Sequence, residues 1–376
     1  MQEITLLPEA TGTGRCIAIR QRPHTVPEPD KDSWLLGATG IKAASLEDLV
    51  TAWGRSLPEL IPASYRNAYS AWLGTDTNID WSQALTSRGL ARRIQQFRSE
   101  ILPLVEELEA TGYLETLAKG RRILERLEPI HVDTVKVRSL VDAGEPIDSF
   151  LPVFGSVCSP IHYKHDTKTG RLRVDSGPRV LGMNKKHRSI IRSRYPGGSI
   201  MSIDFVSLEP RLALMAVGES PQGDVYEEIS KASGYSRAKA KIATLSFLYG
   251  AGASGGVEEK LKRHVKEYFR VQQLQELITS TPGRNGYGRP IEPEEPRLMI
   301  PHWVQSTAVD VCLLGFSSLA EKLDGLCDPL FLVHDALFVD VPADNTGVLS
   351  RIINDGIMVQ PYGNFSLSLN GLDEAA

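Results

Sequence analysis

The chain has 376 residues, length enough for two or three domains, and its 41% hydrophobic and 23% charged residues exclude global disorder. Lysine and arginine number 42 against 46 acidic residues, so the net charge of −4 gives no overall basic excess for a nucleic acid or an acidic membrane surface. No apolar run approaches the ~18 residues of a membrane span, Met1-Gln2-Glu3 is unlike a signal peptide, and the four cysteines hold no Cys-x-x-Cys pair. A cytoplasmic protein without membrane contact is expected.

Residues 1–85 are the least legible. The Pro- and charge-rich stretch from Arg22 to Asp32 reads as a loop, and Ser45-x-x-Asp48 reads as the start of a short amphipathic helix ending near Leu57. Thr11-Gly-Thr-Gly14 lacks the Gly-Lys-Ser/Thr ending of a phosphate loop and reads as a turn. From Arg88 to Val141 the pattern is helical, with Leu90, Ile94, Phe97, Ile101, Val105 and Leu108 at spacings of three and four. Pro103 predicts a kink or break there, and Gly112 and Gly120 predict further breaks in a helical hairpin or small bundle. Arg88, Arg92, Arg93 and Arg98 could track a backbone, but Glu100, Glu106, Glu107 and Glu109 follow closely, and an ordinary exposed helix is an equal reading.

Between Ile161 and Ser199 ten basic residues face only Asp166 and Asp175, a local net charge of +8. They are spread through Gly, Ser, Pro and Thr rather than paired with acids at helical spacing, which favours anion binding over a solvated face. His162-x-x-His165 has metal-like spacing, yet no further Cys or His cluster joins it, so phosphate contact is the better reading. Ile200 to Val206 then reads as a buried strand and Ser207 to Ala216 as a helix, with Ser207 as N-cap and Pro210 in the first turn. A second helix spans Ser236 to Tyr249 and ends at a glycine-rich segment, and a third spans roughly Trp303 to Leu323. Leu330 to Val341 reads as two strands with His334-Asp335 at their turn. The order of elements predicts an α+β fold, a palm-like antiparallel sheet with helical insertions.

Asp204 and Asp335 stand in apolar strand contexts. One such carboxylate is ordinarily a cap or turn residue, but two on neighbouring strands could bridge a pair of Mg²⁺ ions, an arrangement suited to nucleotidyl transfer. Arg237, Lys241, Leu245 and Tyr249 recur every four residues and form one stripe, cationic in its first half and apolar in its second. Such a stripe could grip a triphosphate at one end and a base at the other; alone, it is more often a surface cation pair beside core residues.

Together these residues resemble the family A DNA polymerases, the group of bacterial DNA polymerase I. Ile203-Asp-Phe-Val-Ser-Leu-Glu-Pro-Arg211 is similar to motif A, Arg237-x-x-x-Lys241-x-x-x-Leu245-x-x-x-Tyr249-Gly250 to motif B, and Val333-His-Asp335 with Leu337 to Pro342 to motif C. Thr169-Gly-Arg-Leu172, with Pro178 and Asn184 beyond it, and Gln305-Ser-Thr-Ala308 resemble two further elements in the family's order. The likeness runs from about His162 to the C-terminus.

The resemblance implies a right-hand polymerase fold. Residues 1–85 have no assigned role, 86–150 are a shortened helical thumb, 151–215 the first part of the palm, 216–300 the fingers and 301–376 the rest of the palm. It implies that Asp204 and Asp335 hold two Mg²⁺ ions, with Mn²⁺ as a substitute. Arg237 and Lys241 bind the triphosphate of a dNTP, Glu209 excludes a ribose 2′-OH, and Leu245 and Tyr249 face the nucleotide and the templating position. Arg171, Gln305 and His334 contact a DNA primer-template, and Lys185, Lys186 and Arg188 of the basic stretch are further DNA contacts. The implied activity is template-directed DNA synthesis without proofreading, since no Asp-x-Glu occurs in residues 1–150, in a pared-down enzyme of a kind that suits a virus or mobile element. Accessory partners are not indicated.

Leu245 replaces an aromatic residue, Ala336 a Glu, Pro301 an Asn, Tyr226 a His and Ser207 a Gln of the family pattern. The non-aromatic Leu245 keeps a single-subunit RNA polymerase open as an alternative, which Glu209 and the short chain oppose. Ala336 and Pro301 keep open a catalytically impaired nucleic-acid-binding protein, which the retained aspartates oppose.

Overall fold

A computed structural model describes residues 3–11, 14–30, 33–37, 57–74, 79–165, 167–221, 223–249, 258–291, 293 and 295–372. The helix expected from Ser45 to Leu57 lies outside these residues except for Leu57, as do Gly12 and Thr13 of the Thr11–Gly14 turn and the glycine-rich residues 250–256. The chain forms two compact units, Met1–Glu115 and Thr116–Ala376. Their boundary falls inside the 86–150 segment.

Among its described residues the first unit holds four short strands, β1 (Ile4–Leu6), β2 (Cys16–Ala18), β3 (His24–Val26) and β4 (Trp34–Leu36), in the order β3-β2-β1-β4. β3 lies where a loop was expected; its residues are mostly exposed, so it carries no apolar run by which to recognise an edge strand. Of the kink or break expected at Pro103 there is no break: the helix Ser87–Glu109 is continuous through it. Burial of Phe97, Ile101 and Val105 along one face outweighs the single backbone hydrogen bond that proline removes. The helix is tied to the chain after β2 by Arg98, which donates to the carbonyls of Ile19 and Arg20 at 2.8 and 3.1 Å, and by a two-bond Arg20–Glu109 ion pair at 2.8 and 2.5 Å.

The second unit is α+β. Its strands are β5 (His131–Val132), β6 (His162–Lys164), β7 (Arg173–Ser176), β8 (Ile191–Arg192), β9 (Ser199–Phe205), β10 (Asp328–Val333), β11 (Ala336–Val341), β12 (Ile357–Val359), β13 (Gly363–Phe365) and β14 (Leu367–Gly371). The main sheet is antiparallel in the order β10-β11-β9-β14. All six residues of β11 are buried, as a central strand requires, and the adjoining rings of Phe331 and Phe338 stack at 4.5 Å. Against the sheet lies Met299–Lys322, buried on nearly all sides as a core helix. Phe205 of β9 meets Phe316 of this helix at 5.1 Å and Phe365 of β13 at 5.8 Å.

Gly112 lies in the turn after the first unit's long helix with φ of 71°, as expected of a break. Gly120 instead sits inside the helix Tyr113–Glu125. A Cβ there would lie 3.1 Å from Leu313 Cβ, and the Gly120 carbonyl accepts from Ser317 Oγ at 2.9 Å, so this glycine serves close helix packing. The helices Val225–Ser233, Arg237–Leu248, Glu259–Tyr268 and Val271–Ser280 share a second core around Ile229, Ala243, Val265, Phe269, Leu274 and Trp303. Among the described residues, no helix is long and apolar enough to cross a membrane.

Candidate active site

The register of β9 against β11 pairs Ala336 with Asp204, so the turn that joins β10 to β11 sets Asp335 beside it. His334 takes φ of 55° to make that turn, and the Phe205 N–H donates to the Asp335 carbonyl at 3.3 Å. Both carboxyls are shifted upward. Burial, then the Asp335 charge, pushes Asp204 up to about 7, while burial raises Asp335. Asp204 Oδ1 is buried without a hydrogen-bond partner among the described residues. A buried, partnerless carboxylate oxygen beside a second carboxylate is an environment that a cation would relieve. No cluster of three or more His, Cys, Asp or Glu suited to a metal occurs among the described residues.

A cavity of about 310 Å³ opens next to Asp335. It is lined by Arg171, Glu209, Leu245, Tyr249, Gln305 and His334 together with Asp335, seven of the residues singled out from sequence. The helix Leu208–Ala216 brings Glu209 there directly after β9. Ser207 precedes it in the left-handed region with φ of 52° and makes no capping bond, contrary to the N-cap expected; it hydrogen-bonds Tyr226 instead. Glu209 accepts from Arg171 Nη2 at 2.9 Å and from the Tyr249 hydroxyl, and the Arg171 guanidinium lies 5.7 Å from the Tyr249 ring centroid. Burial outweighs Arg171 and raises the Glu209 carboxyl, while burial and the Glu209 charge push the Tyr249 phenol up to about 12.

Arg237 and Lys241 do not line the cavity, but both stand over a residue that does. The Tyr226 ring has the Arg237 guanidinium 5.5 Å and the Lys241 ammonium 5.8 Å from its centroid. Asp224 caps the helix carrying Tyr226 through the Tyr226 and Glu227 N–H groups and ion-pairs with Arg237. Ser236, expected as the start of the next helix, caps it by accepting from the Lys239 N–H. In the sequence Tyr226 stands out only as a departure from a pattern. Nothing local marks an aromatic residue two positions after a cap as a platform for cations one helix further on.

The basic stretch is largely answered by carboxylates, one of them its own and the others brought from elsewhere. Lys164 and Arg173 meet Asp175, Lys186 meets Glu145, Arg192 meets Asp133, Arg194 meets Asp328 and Arg171 meets Glu209. Lys185 and Lys186 are exposed on a short 3-10 turn and do not line the cavity. Arg188, expected as a DNA contact, is 8% exposed with its guanidinium 5.7 Å from the Phe338 centroid, so it does not offer its charge at the surface. His165, expected to touch phosphate, is 3% exposed. Burial, then the positive charges of Arg289 and Arg121, holds its imidazole well below its ordinary range and therefore neutral. In the first unit, Arg98 is spent on backbone carbonyls and Arg93 lies 4.8 Å over the Tyr65 ring.

No protein-family model and no curated protein matches the sequence. Among solved structures the chain is similar to the POL domain of Pol1 from M. smegmatis in complex with DNA primer-template and dNTP, with a TM-score of 0.56 and 12% identity over 91% of this chain and 86% of that one. At that identity the likeness is one of fold: the chain has an α+β, polymerase-like fold.

Proposed function

We propose that this protein is a template-directed DNA polymerase of the family A kind, adding dNTPs to a primer 3′ end. The observation that carries the reading is the convergence, in one cavity beside Asp204 and Asp335, of Arg171, Glu209, Leu245, Tyr249, Gln305 and His334 from five separate stretches of sequence. The likeness to a polymerase domain holding primer-template and dNTP supports it. In this reading residues 151–215 and 301–376 act as palm, 216–300 as fingers and 86–150 as a thumb-like region, and proofreading is absent.

Asp204 and Asp335 would hold divalent ions, Mg²⁺ or in its place Mn²⁺, which supply Lewis-acid activation of the primer hydroxyl and neutralise charge on the phosphates. The chain's own residues do the rest. Arg237 and Lys241 present exposed cations to the triphosphate, held in place by Tyr226 beneath them. Glu209 is anchored by Arg171 and Tyr249, so a ribose 2′-OH meets a carboxylate that cannot swing aside. Arg171, Gln305 and His334 lie on the cavity wall where a primer terminus would sit, with Lys185 and Lys186 as outlying phosphate contacts.

Extension of a labelled primer on a DNA template, with Mg²⁺ and either dNTPs or rNTPs, tests this. Extension with dNTPs that Asp204→Ala and Asp335→Ala both abolish is the expected result. Preference for rNTPs would favour a single-subunit RNA polymerase, to which the non-aromatic Leu245 points. Binding of DNA without extension by the unaltered protein would refute the polymerase reading.

A further inference from the structure

The buried Arg289 is 124 residues away in sequence from His165, yet its guanidinium is spent on that residue and its neighbours. Arg289 is 1% exposed. Its Nη1 lies 3.1 Å from His165 Nε2, and its Nη2 donates to the carbonyls of His165 and Thr167 at 3.1 and 3.3 Å. Because the imidazole is neutral, Nε2 can accept from the guanidinium. Gly170 follows with φ of 77°, and a Cβ there would lie 2.5 Å from Arg289 Cζ. The guanidinium therefore lies against the Gly170 backbone at a distance that only glycine permits.

The other end of Arg289 is anchored just as firmly. Asn285 Oδ1 accepts the N–H groups of Tyr287 and Arg289 at 2.9 Å each, while its Nδ2 donates to Ser306 Oγ at 3.0 Å and Asp310 Oδ2 at 2.6 Å. The Gly286 N–H donates to Thr307 Oγ1 at 3.0 Å. Ser306, Thr307 and Asp310 belong to the Met299–Lys322 helix, the one that carries Gln305. Within the turn itself the Gly170 N–H donates to the Thr167 carbonyl at 2.9 Å, and Thr167 Oγ1 donates to the Arg171 carbonyl at 2.8 Å.

The geometry points to Arg289 as a positioning residue that fixes the His165–Arg171 turn against the Gln305 helix and so holds Arg171 on Glu209. A planar fork with several fixed donors can satisfy two carbonyls and an imidazole at once; a lysine ammonium, with one nitrogen, cannot match that pattern. Burial makes the arrangement strict, because any donor pulled off its acceptor stays desolvated and unpaired. Arg171 is the residue next to Gly170, so movement of the turn is passed to its ion pair with Glu209 and its place over Tyr249. The consequence for catalysis rests on the polymerase reading above; the mechanical coupling does not.

The test is arginine side-chain NMR on the full chain labelled with [¹⁵N]arginine, with the Arg171 Nη–H signals assigned by their loss in Arg171→Lys. In Arg289→Lys, water exchange at the Arg171 Nη2–H that bonds Glu209 is expected to quicken about tenfold or more, as when one charge-assisted hydrogen bond is lost. Gly170→Ala leaves every charge in place and should give the same change; it serves as the second variant if Arg289→Lys does not fold. An Arg171 signal unchanged in a folded variant of either kind overturns the inference, whether or not the protein extends primers. Where it does extend them, Arg289→Lys and Arg171→Lys should lower the preference for dNTP over rNTP to the same extent and without adding. Failure of the unaltered protein to extend would count against the polymerase reading alone.

Discussion

Gly315 sits in the middle of the Met299–Lys322 helix, and replacing it by alanine sets two effects against each other. Alanine is a better helix former than glycine by about 1 kcal/mol, which favours the substitution. The added Cβ, however, would lie 2.8 Å from Phe205 Cζ, 3.3 Å from Val359 Cγ2 and 3.7 Å from Ile357 Cγ2. Phe205 cannot yield, because its ring is held between Phe316 and Phe365 at 5.1 and 5.8 Å. Overpacking against a locked ring costs about 2–3 kcal/mol, so a net loss of about 1–2 kcal/mol is expected, with Tm falling by ~2–4 °C. Gly347→Ala is the control: it lies exposed near the start of the helix Thr346–Asn354 with nothing within 4 Å of a built Cβ. It should stabilise by about 0.5 kcal/mol. Thermal unfolding of the two variants beside the unaltered chain reads the difference. Because Phe205 directly follows Asp204, Gly315→Ala should also slow primer extension whereas Gly347→Ala should not. A Gly315→Ala protein as stable as the Gly347→Ala one would refute the claim that helix and sheet are in contact at this point.

Three further outcomes are expected. Glu209→Ala should raise incorporation of rNTP relative to dNTP by about tenfold or more in single-nucleotide assays, since it removes the carboxylate that a 2′-OH would meet; an unchanged ratio would remove Glu209 from sugar selection. Arg237→Ala and Lys241→Ala should each raise the dNTP KM about tenfold or more, and a KM that stays put would show that neither cation meets the triphosphate. His165 is held neutral when folded, so between its depressed folded value and the ordinary value of 6.5 the unfolded chain binds the extra proton. Its contribution is therefore complete above 6.5 and declines as pH falls, by about 1 kcal/mol from pH 6.5 to 5.5. Urea midpoints at the two pH values check this, and the same decline in His165→Asn would assign it to other groups.

How much could be read in advance varied along the chain for physical reasons. β9 and the β10–β11 hairpin were legible because continuous apolar runs broken by a turn have few other uses. Ser236 and Asp224 cap their helices in the usual way. Ser207 stands at a cap position yet takes φ of 52°, because the chain must turn sharply from β9 to aim Glu209 into the cavity. The edge strand β3 escaped notice because its exposed residues carry no pattern. Gly120, a breaker by composition, is a packing residue, because its role depends on Leu313 in a helix far along the chain.

Local chemistry determined the elements, the two aspartates in apolar strand contexts and the cationic stripe of Arg237 and Lys241. Those properties depend on spacing and residue type, which one stretch of chain contains in full. Only the tertiary structure decided which charges face solvent and which are spent. Arg171 went to Glu209, Arg188 to the face of Phe338, His165 to Arg289, and the cations of the basic stretch to acids from other elements. A charge is written in the sequence, but its burial and its partner depend on side chains distant in the chain, 124 residues away for His165 and Arg289.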